Sequence, residues 1–262
     1  MKKVLITGTD GYIGKKFEEW NLKSDSNIEI KFLDLKNDTW KQKDLSGFDS
    51  ILHLAGIVHK KKTSREVYFE VNKYMTVELA EKAKKSGVKQ FVFFSTMSIF
   101  GVDSGEINKN TIPSPKNFYG ISKYEAEIEL EKLKNPDFKI AIIRPPMVYG
   151  PNAPGNYKIL SYVARRCLLF VPYVSNKRSM IHSDNLSKFI NYIIFNNLNG
   201  YFHPQDREYI TTSELIYKIR KENHQKVLFI KIPKKLHRIF RKSKLYNKIF
   251  GDLVYSKEMS SI

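Results

Sequence analysis

The segment Thr7-Gly8-Thr9-Asp10-Gly11-Tyr12-Ile13-Gly14 decides how this chain is read. Its glycines are spaced G-x-x-G-x-x-G. It follows a short apolar run, residues 3–7, and opens a helix-like stretch, residues 12–22. A turn from strand to helix needs glycine where φ is positive and where a diphosphate must approach the backbone. The helix amino terminus then presents free N–H groups and a partial positive charge to that diphosphate. Alone, such glycines also fit a plain tight turn. Here Asp34 follows twenty residues after Gly14, at the end of a second strand-like run, Ile28–Leu33. A carboxylate there can accept hydrogen bonds from the hydroxyls of an adenosine ribose. Together these residues predict a nicotinamide dinucleotide held by Gly8, Gly11, Tyr12, Ile13, Gly14 and Asp34. Asp34 favours NAD, because a carboxylate repels a 2′-phosphate. Lys36 could pair with that phosphate or stand as a solvated charge, so NAD and NADP both stay open.

Outward from this turn the chain alternates. Further strand-like runs fall at residues 50–54, 90–95 and 139–143, and helix-like stretches at 65–85 and 119–133. In the last, Ile121, Ala126, Ile128 and Leu133 recur at roughly helical spacing. Strands alternating with helices predict an α/β fold: a Rossmann-type doubly wound parallel sheet covered on both faces. Residues 144–156, RPPMVYGPNAPGN, are rich in Pro and Gly and mark a boundary. The expected organisation is a dinucleotide-binding domain over residues 1–150, rejoined by about 175–198. Residues 151–174 and 199–262 form a small carboxy-terminal substrate-binding lobe.

The bulk numbers fit such a chain. Its 262 residues can bury a sizeable core, and 42% are hydrophobic, which argues against disorder. One cysteine, Cys167, excludes an internal disulfide and suggests a reducing compartment. Residues 1–8 are too short for a secretory signal, and no apolar stretch is long enough to span a bilayer. Cytoplasm is the expected location, and no metal site is expected. The net charge of +18 favours anionic partners. Half of it lies in residues 207–262, with 14 Lys/Arg against 5 Asp/Glu. Residues 231–248 carry 8 basic residues and no acid, with Leu236, Ile239, Phe240 and Leu245 as an apolar stripe. Two readings stand: a peripheral membrane-surface helix, or a lobe helix whose solvated basic face steers anionic substrate. Nucleic acid is not an expected partner, since no binding module accompanies the charge.

Tyr119-Gly120-Ile121-Ser122-Lys123 is a Y-x-x-x-K spacing. Residues four apart share a helix face. An ammonium beside a phenol favours the phenolate, so Lys123 is expected to lower the pKa of Tyr119. Tyr119 could then exchange a proton with a sugar hydroxyl or ketone while hydride moves to or from the nicotinamide.

With these residues assembled, the chain resembles the extended short-chain dehydrogenase/reductase family of nucleotide-sugar epimerases, dehydratases and reductases. The resemblance extends through His53-Leu54-Ala55-Gly56, Asn72, Phe94-Ser95-Thr96-Met97-Ser98-Ile99-Phe100-Gly101, Arg144-Pro145-Pro146-Met147-Val148-Tyr149-Gly150 and Arg178-Ser179-Met180-Ile181-His182. It implies a catalytic set of Thr96, Tyr119 and Lys123. It implies cofactor contacts from Leu54, Ala55, Gly56, Asn72, Tyr119, Lys123 and Pro145, and substrate contacts from Thr96, Tyr119, Met147 and Arg178. Arg178 would hold a nucleotide diphosphate through its bidentate fork. His182 is expected to be a satisfied structural residue. Relatives often pair through two helices, here 65–85 and 119–133, so a homodimer is a further expectation.

Departures narrow the chemistry. Relatives that remove water across sugar carbons 5 and 6 carry Asp-Glu after the catalytic Thr. This chain has Met97 and Ser98, which excludes a 4,6-dehydratase. Met147 replaces an Asn that contacts the diphosphate in many epimerases. The stretch between Asp34 and Ile51 is short, so the strand that usually carries an adenine-contacting Asp is expected to be reduced or missing. Tyr201-Phe202-His203-Pro204-Gln205-Asp206 and Phe250-Gly251-Asp252-Leu253-Val254-Tyr255-Ser256 are similar to capsular-polysaccharide enzymes of the family. Those enzymes reduce a UDP-linked 4-keto-6-deoxy-N-acetylhexosamine with NADH or NADPH. The expected function is therefore that reduction. An NAD-dependent UDP-sugar 4-epimerase is the first alternative. A non-catalytic nucleotide-binding protein on the same fold is the second; the joint presence of Thr96, Tyr119 and Lys123 counts against it.

Overall fold

A computed structural model describes residues 1–24, 26–58, 63–166, 170–231, 243, 246–247 and 250–260. The chain opens with β1 (Lys2–Thr7), α1 (Tyr12–Lys23), β2 (Ile28–Leu33), a 3-10 turn (Asp38–Gln42) and β3 (Ser50–His53). Next, α2 (Arg65–Phe69), a π-helical turn (Glu70–Tyr74) and α3 (Met75–Lys85) run on from one another. Then come β4 (Gln90–Phe94), a 3-10 turn (Met97–Phe100), β5 (Gly105–Ile107), α4 (Phe118–Leu133), β6 (Lys139–Ile143), β7 (Met147–Tyr149) and α5 (Asn156–Arg166). The remainder is β8 (Phe170–Tyr173), β9 (Met180–His182), α6 (Ser183–Phe195), β10 (Gly200–Phe202), α7 (Thr212–Glu222), β11 (Leu228–Lys231) and β12 (Leu253–Tyr255).

Six strands form one parallel sheet in the order β2-β1-β3-β4-β6-β10. Alternate residues of β1 serve opposite faces, as the pleat requires. Leu5 joins Ile51, Phe91 and Ile142 beneath Leu79 of α3 and Leu130 of α4. Val4 and Ile6 join Leu52, Val92 and Ile143 beneath Phe17 of α1 and Ile190 of α6. Both layers are dry, which explains why the strands read as unbroken apolar runs. A third cluster, with Ala164, Val171, Met180, Leu215 and Ile219, packs α5 and α7, from the expected lobe, against β8 and β9.

The strand order reverses between β1 and β3, the crevice where open α/β sheets bind ligands. The Gly8 turn, Leu54–Gly56, Thr96 and Pro145 all leave the carboxyl ends of neighbouring strands there. The expected loss beyond β2 is seen: residues 34–49 hold only the 3-10 turn, and β2 is the edge strand. One boundary moves. Gly200–Phe202 pairs with β6 in the central sheet, although the sequence places residues beyond 199 in the lobe. The reason is tertiary: three residues are too few to show a strand period, and β6 offers the edge on which they pair. Cys167 and the stripe of Leu236, Ile239, Phe240 and Leu245 lie outside the described residues. Among the described residues no helix is long and apolar enough to cross a membrane.

Candidate active site

The phosphate turn has the form its glycines predict. Gly8 has φ +90°, a left-handed value that only glycine adopts without strain. A side chain there would also meet the Ala55 backbone at 3.2 Å. Gly14 lets α1 pack on the sheet: a Cβ would lie 3.3 Å from Ile6 and 3.4 Å from Leu54 and Phe32. No side chain caps the start of α1, and its first turn carries no acid. Its amino-terminal N–H groups are therefore offered outward, which fits a diphosphate. Tyr12 hydrogen-bonds the Pro151 carbonyl at 3.2 Å, joining the turn to the lobe. Ile13 packs into the core beneath it.

Asp34 stands at the end of β2 and accepts from the Lys36 backbone N–H at 2.9 Å. The Lys36 ammonium lies 3.1 Å from Asp10 and 4.0 Å from Asp34. Lys36 is thus flanked by two carboxylates rather than standing alone beside the ribose position.

Behind the turn lies a network that sequence reasoning missed. Thr7 Oγ1 accepts from the Leu54 and Ala55 N–H groups at 3.2 and 3.3 Å. It also pairs with His53 Nδ1 at 2.8 Å. His53 Nε2 meets Thr76 Oγ1 at 2.9 Å, and that hydroxyl donates to the Asn72 carbonyl at 3.0 Å. This directionality assigns the proton of His53 to Nε2. His53 is wholly buried, and burial with nearby Lys123 holds its pKa well below the usual value, so it is neutral. The Thr at the start of T-G-x-x-G and the His before Leu-Ala were the available signals.

Asn72 occupies the π-helical turn, a feature frequent at functional sites. It accepts from Ile57 N–H at 2.8 Å and donates to Ile57 O at 3.1 Å and Ser122 Oγ at 3.2 Å. It is fully buried, so it reaches the expected cofactor position only through the Gly56–Ile57 backbone it holds. A Cβ on Gly56 would sit 2.9 Å from Asn72 Oδ1 and 3.3 Å from Lys123 Nζ. Gly56 therefore leaves the space through which Lys123 passes.

Of the three expected catalytic side chains, Thr96 and Tyr119 are hydrogen-bonded, and Lys123 lies one helical turn beyond Tyr119 on the buried face of α4. Asn117 caps α4 by accepting from Gly120 N–H at 2.8 Å. Gly120 allows close approach to the Met97–Phe100 turn, since a Cβ would lie 3.0 Å from the Ser98 carbonyl. Thr96 accepts from Ser98 N–H at 3.1 Å and is hydrogen-bonded to the Tyr119 phenol. Lys123 is buried and donates to the Phe94 carbonyl at 2.8 Å, with its ammonium 4.5 Å from the Phe93 ring centre.

The electrostatics correct one expectation. Lys123 does not lower the pKa of Tyr119. Burial pushes Tyr119 up to about 12, only partly offset by Thr96. Burial likewise pulls Lys123 down to about 7, against the pull of Glu127. For each group desolvation of the charged form outweighs the neighbour that favours it, Thr96 for the phenol and Glu127 for the amine. One helical turn on, Glu127 forms a buried pair with Arg144, at 2.6 and 3.1 Å. Arg144 also lies over the Phe100 and Tyr201 rings. The four-residue spacing of Tyr119, Lys123 and Glu127 was the signal for this third member.

The remaining expected contacts are more spread. Pro145 offers its carbonyl to Met97 N–H at 3.1 Å. Met147 is half-buried and packs on the lobe core. Arg178 bridges β12 and residue 210 through its backbone, and its guanidinium donates to Gly251 O at 3.2 Å. His182 accepts from Asp184 N–H at 3.3 Å and caps α6. Ser95 Oγ is buried without a hydrogen-bond partner beside Thr96, a polar atom that a bound cofactor could satisfy.

The model of the NAD dependent epimerase/dehydratase family matches residues 4–202. The chain belongs to that family. It is an enzyme, and its cofactor is a nicotinamide dinucleotide, NAD or NADP. The UDP-glucose 4-epimerase of Vibrio cholerae is 27% identical, over 98% of this chain and 89% of that enzyme. The N-acetyl-α-D-glucosaminyl-diphospho-ditrans,octacis-undecaprenol 4-epimerase of Escherichia coli O157:H7 is 26% identical, over 88% of this chain and 75% of that enzyme. In fold, the chain is similar to a dTDP-4-dehydrorhamnose reductase of Bacillus anthracis solved with NADP. The TM-score is 0.68 at 23% identity, covering 90% of this chain and 86% of that one.

Proposed function

We propose that this enzyme reduces the 4-keto group of a UDP-linked 6-deoxy-N-acetylhexosamine with NADH or NADPH. The reading rests on the protonated, desolvated Tyr119 beside Thr96. A phenol with a pKa of about 12 keeps its proton at neutral pH and is ready to give it to a developing alkoxide. When bound, the reduced nicotinamide supplies hydride to carbon 4. Thr96 would orient the ketone oxygen toward the Tyr119 hydroxyl. Lys123, fixed on the Phe94 carbonyl close to Gly56, would hold the cofactor ribose. Met97 and Ser98 supply no carboxyl for elimination. The product would enter surface-glycan assembly, and the site would face the cytoplasm.

A second reading is favoured by the two relatives named above, which are 4-epimerases. An epimerase must first remove a proton from the 4-hydroxyl, and that requires a Tyr119 phenolate. Supplying a UDP-4-keto-6-deoxy-N-acetylhexosamine with each reduced cofactor separates the two. Stoichiometric loss of reduced-nicotinamide absorbance supports the reductase. No loss with either cofactor, and conversion of a UDP-hexosamine without added reductant, supports the epimerase.

A further inference from the structure

Strands β8 and β11 and helix α7 carry a surface that includes none of the candidate active-site residues. Strand β11 pairs with β8 in a two-stranded sheet. Every residue of β11 is exposed: Leu228 is 49%, Phe229 39% and Ile230 49% accessible. Side chains of both faces are open, so the strand stands clear of the lobe core. The Phe229 ring is gripped by Tyr173 at 6.0 Å and Tyr217 at 6.3 Å, both themselves exposed. A shallow hollow beside it is lined by Tyr217, Lys221, Lys226 and Leu228. Residues 217–231 carry five Lys/Arg and a single acid, Glu222. Arg220 is turned inward onto the Ala164 and Lys226 carbonyls, while Lys218, Lys221, Lys226 and Lys231 remain exposed.

We propose that this face, built from β11, Tyr173 and α7, docks the enzyme on an anionic lipid surface. Aliphatic side chains flanked by tyrosines suit the boundary between headgroups and acyl chains. Lysines around them place ammonium groups at phosphate level while their stems cover apolar area. Each such cation raises affinity for an anionic bilayer roughly fivefold. The occupant follows from the charge. A second copy of this chain would set the same lysines against one another. Nucleic acid would satisfy the lysines but would leave Leu228 and Ile230 in water. The inference is independent of the reaction assigned above, because no residue of the face belongs to the active site.

The test uses the full chain and sedimentation with vesicles of phosphatidylcholine alone or mixed with phosphatidylglycerol. The protein is expected to pellet with the mixed vesicles and to be released by salt. Lys221→Glu with Lys226→Glu should reduce binding about tenfold or more. Leu228→Gln with Phe229→Ser should reduce it severalfold at unchanged net charge. Both variants are at the surface and should keep their melting temperature and cofactor affinity. Equal binding to both vesicle types overturns the proposal. So does undiminished binding by both variants, which would place the contact elsewhere. Concentration-dependent dimerisation lost in the variants, without vesicle binding, overturns it in favour of a second copy.

Discussion

Tyr119 and Lys123 share a buried face of α4, yet the lysine does not make the phenol acidic. Both groups lose water, and the carbonyl of Phe94 takes the ammonium. The outcome is a phenol that holds its proton and an amine near neutrality. Replacing Tyr119 by Phe is expected to lower turnover by about 10²–10⁴-fold. Titration of cofactor fluorescence should give the same affinity as the parent; unaltered turnover would refute the assignment. At the other end of the cofactor position, Asp34 lies at the strand end with Lys36 held between two carboxylates. Asp34→Asn should weaken NADH and favour NADPH, changing the ratio of their Kd values about tenfold. A hydrogen bond to a charged group is worth about 1.5–3 kcal/mol. An unchanged ratio would mean that Asp34 does not meet the ribose. Asp34 was legible from its place twenty residues after Gly14, and Tyr119 from its four-residue spacing to Lys123. The direction of the Tyr119 shift was not, because it depends on what buries the pair.

At the scale of elements, α4 is the part most constrained by others. Its Glu127 carboxylate and Arg144 guanidinium are both buried, and Tyr255 donates to the Arg144 carbonyl at 2.9 Å. Glu127→Ala would leave an unpaired buried cation and is expected to cost about 3–5 kcal/mol in urea unfolding. Adding Arg144→Met should recover much of that loss; if the double variant is no better, the pair is not what the single variant breaks. A smaller effect is expected in the lobe. Thr211 and Glu214 form a capping box at the start of α7, at 3.0 and 2.8 Å. Thr211→Ala should cost about 1 kcal/mol, read as a lowered denaturation midpoint. Helix-like spacing located α1 and α4 to within a residue, but the apolar stripe expected on α4 is corrected: Ile128 is exposed, and Ser122, Lys123 and Glu127 are buried because they have partners across the fold. That spacing gave no warning of the π-helical turn that carries Asn72, whose side chain pairs with the Ile57 backbone across the fold.

For the whole molecule, buried histidines set the acid limit. Burial and Arg144 depress His203 to about 4, and His53 is also held well below 6.5. The unfolded chain takes up protons as pH falls through 6.5, whereas the folded chain resists until His203 reaches about 4. Stability should therefore fall from about pH 6.5 toward pH 4. His203→Gln removes one of the two groups, so the melting temperature should decline less steeply across that window. A slope equal to that of the parent would show that His203 does not carry the effect.

The sequence by itself determined the parallel α/β architecture, the Gly-rich turn and the shortened segment after β2, all written in local periods and spacings. The set of Thr96, Tyr119 and Lys123 came as what the family resemblance implies. Only the tertiary structure decided the rest. It placed Gly200–Phe202 in the central sheet, assigned His53 its neutral tautomer, paired Glu127 with Arg144 and kept the proton on Tyr119. These depend on burial and on partners distant in the chain, where removing water, not residue type, sets the energy.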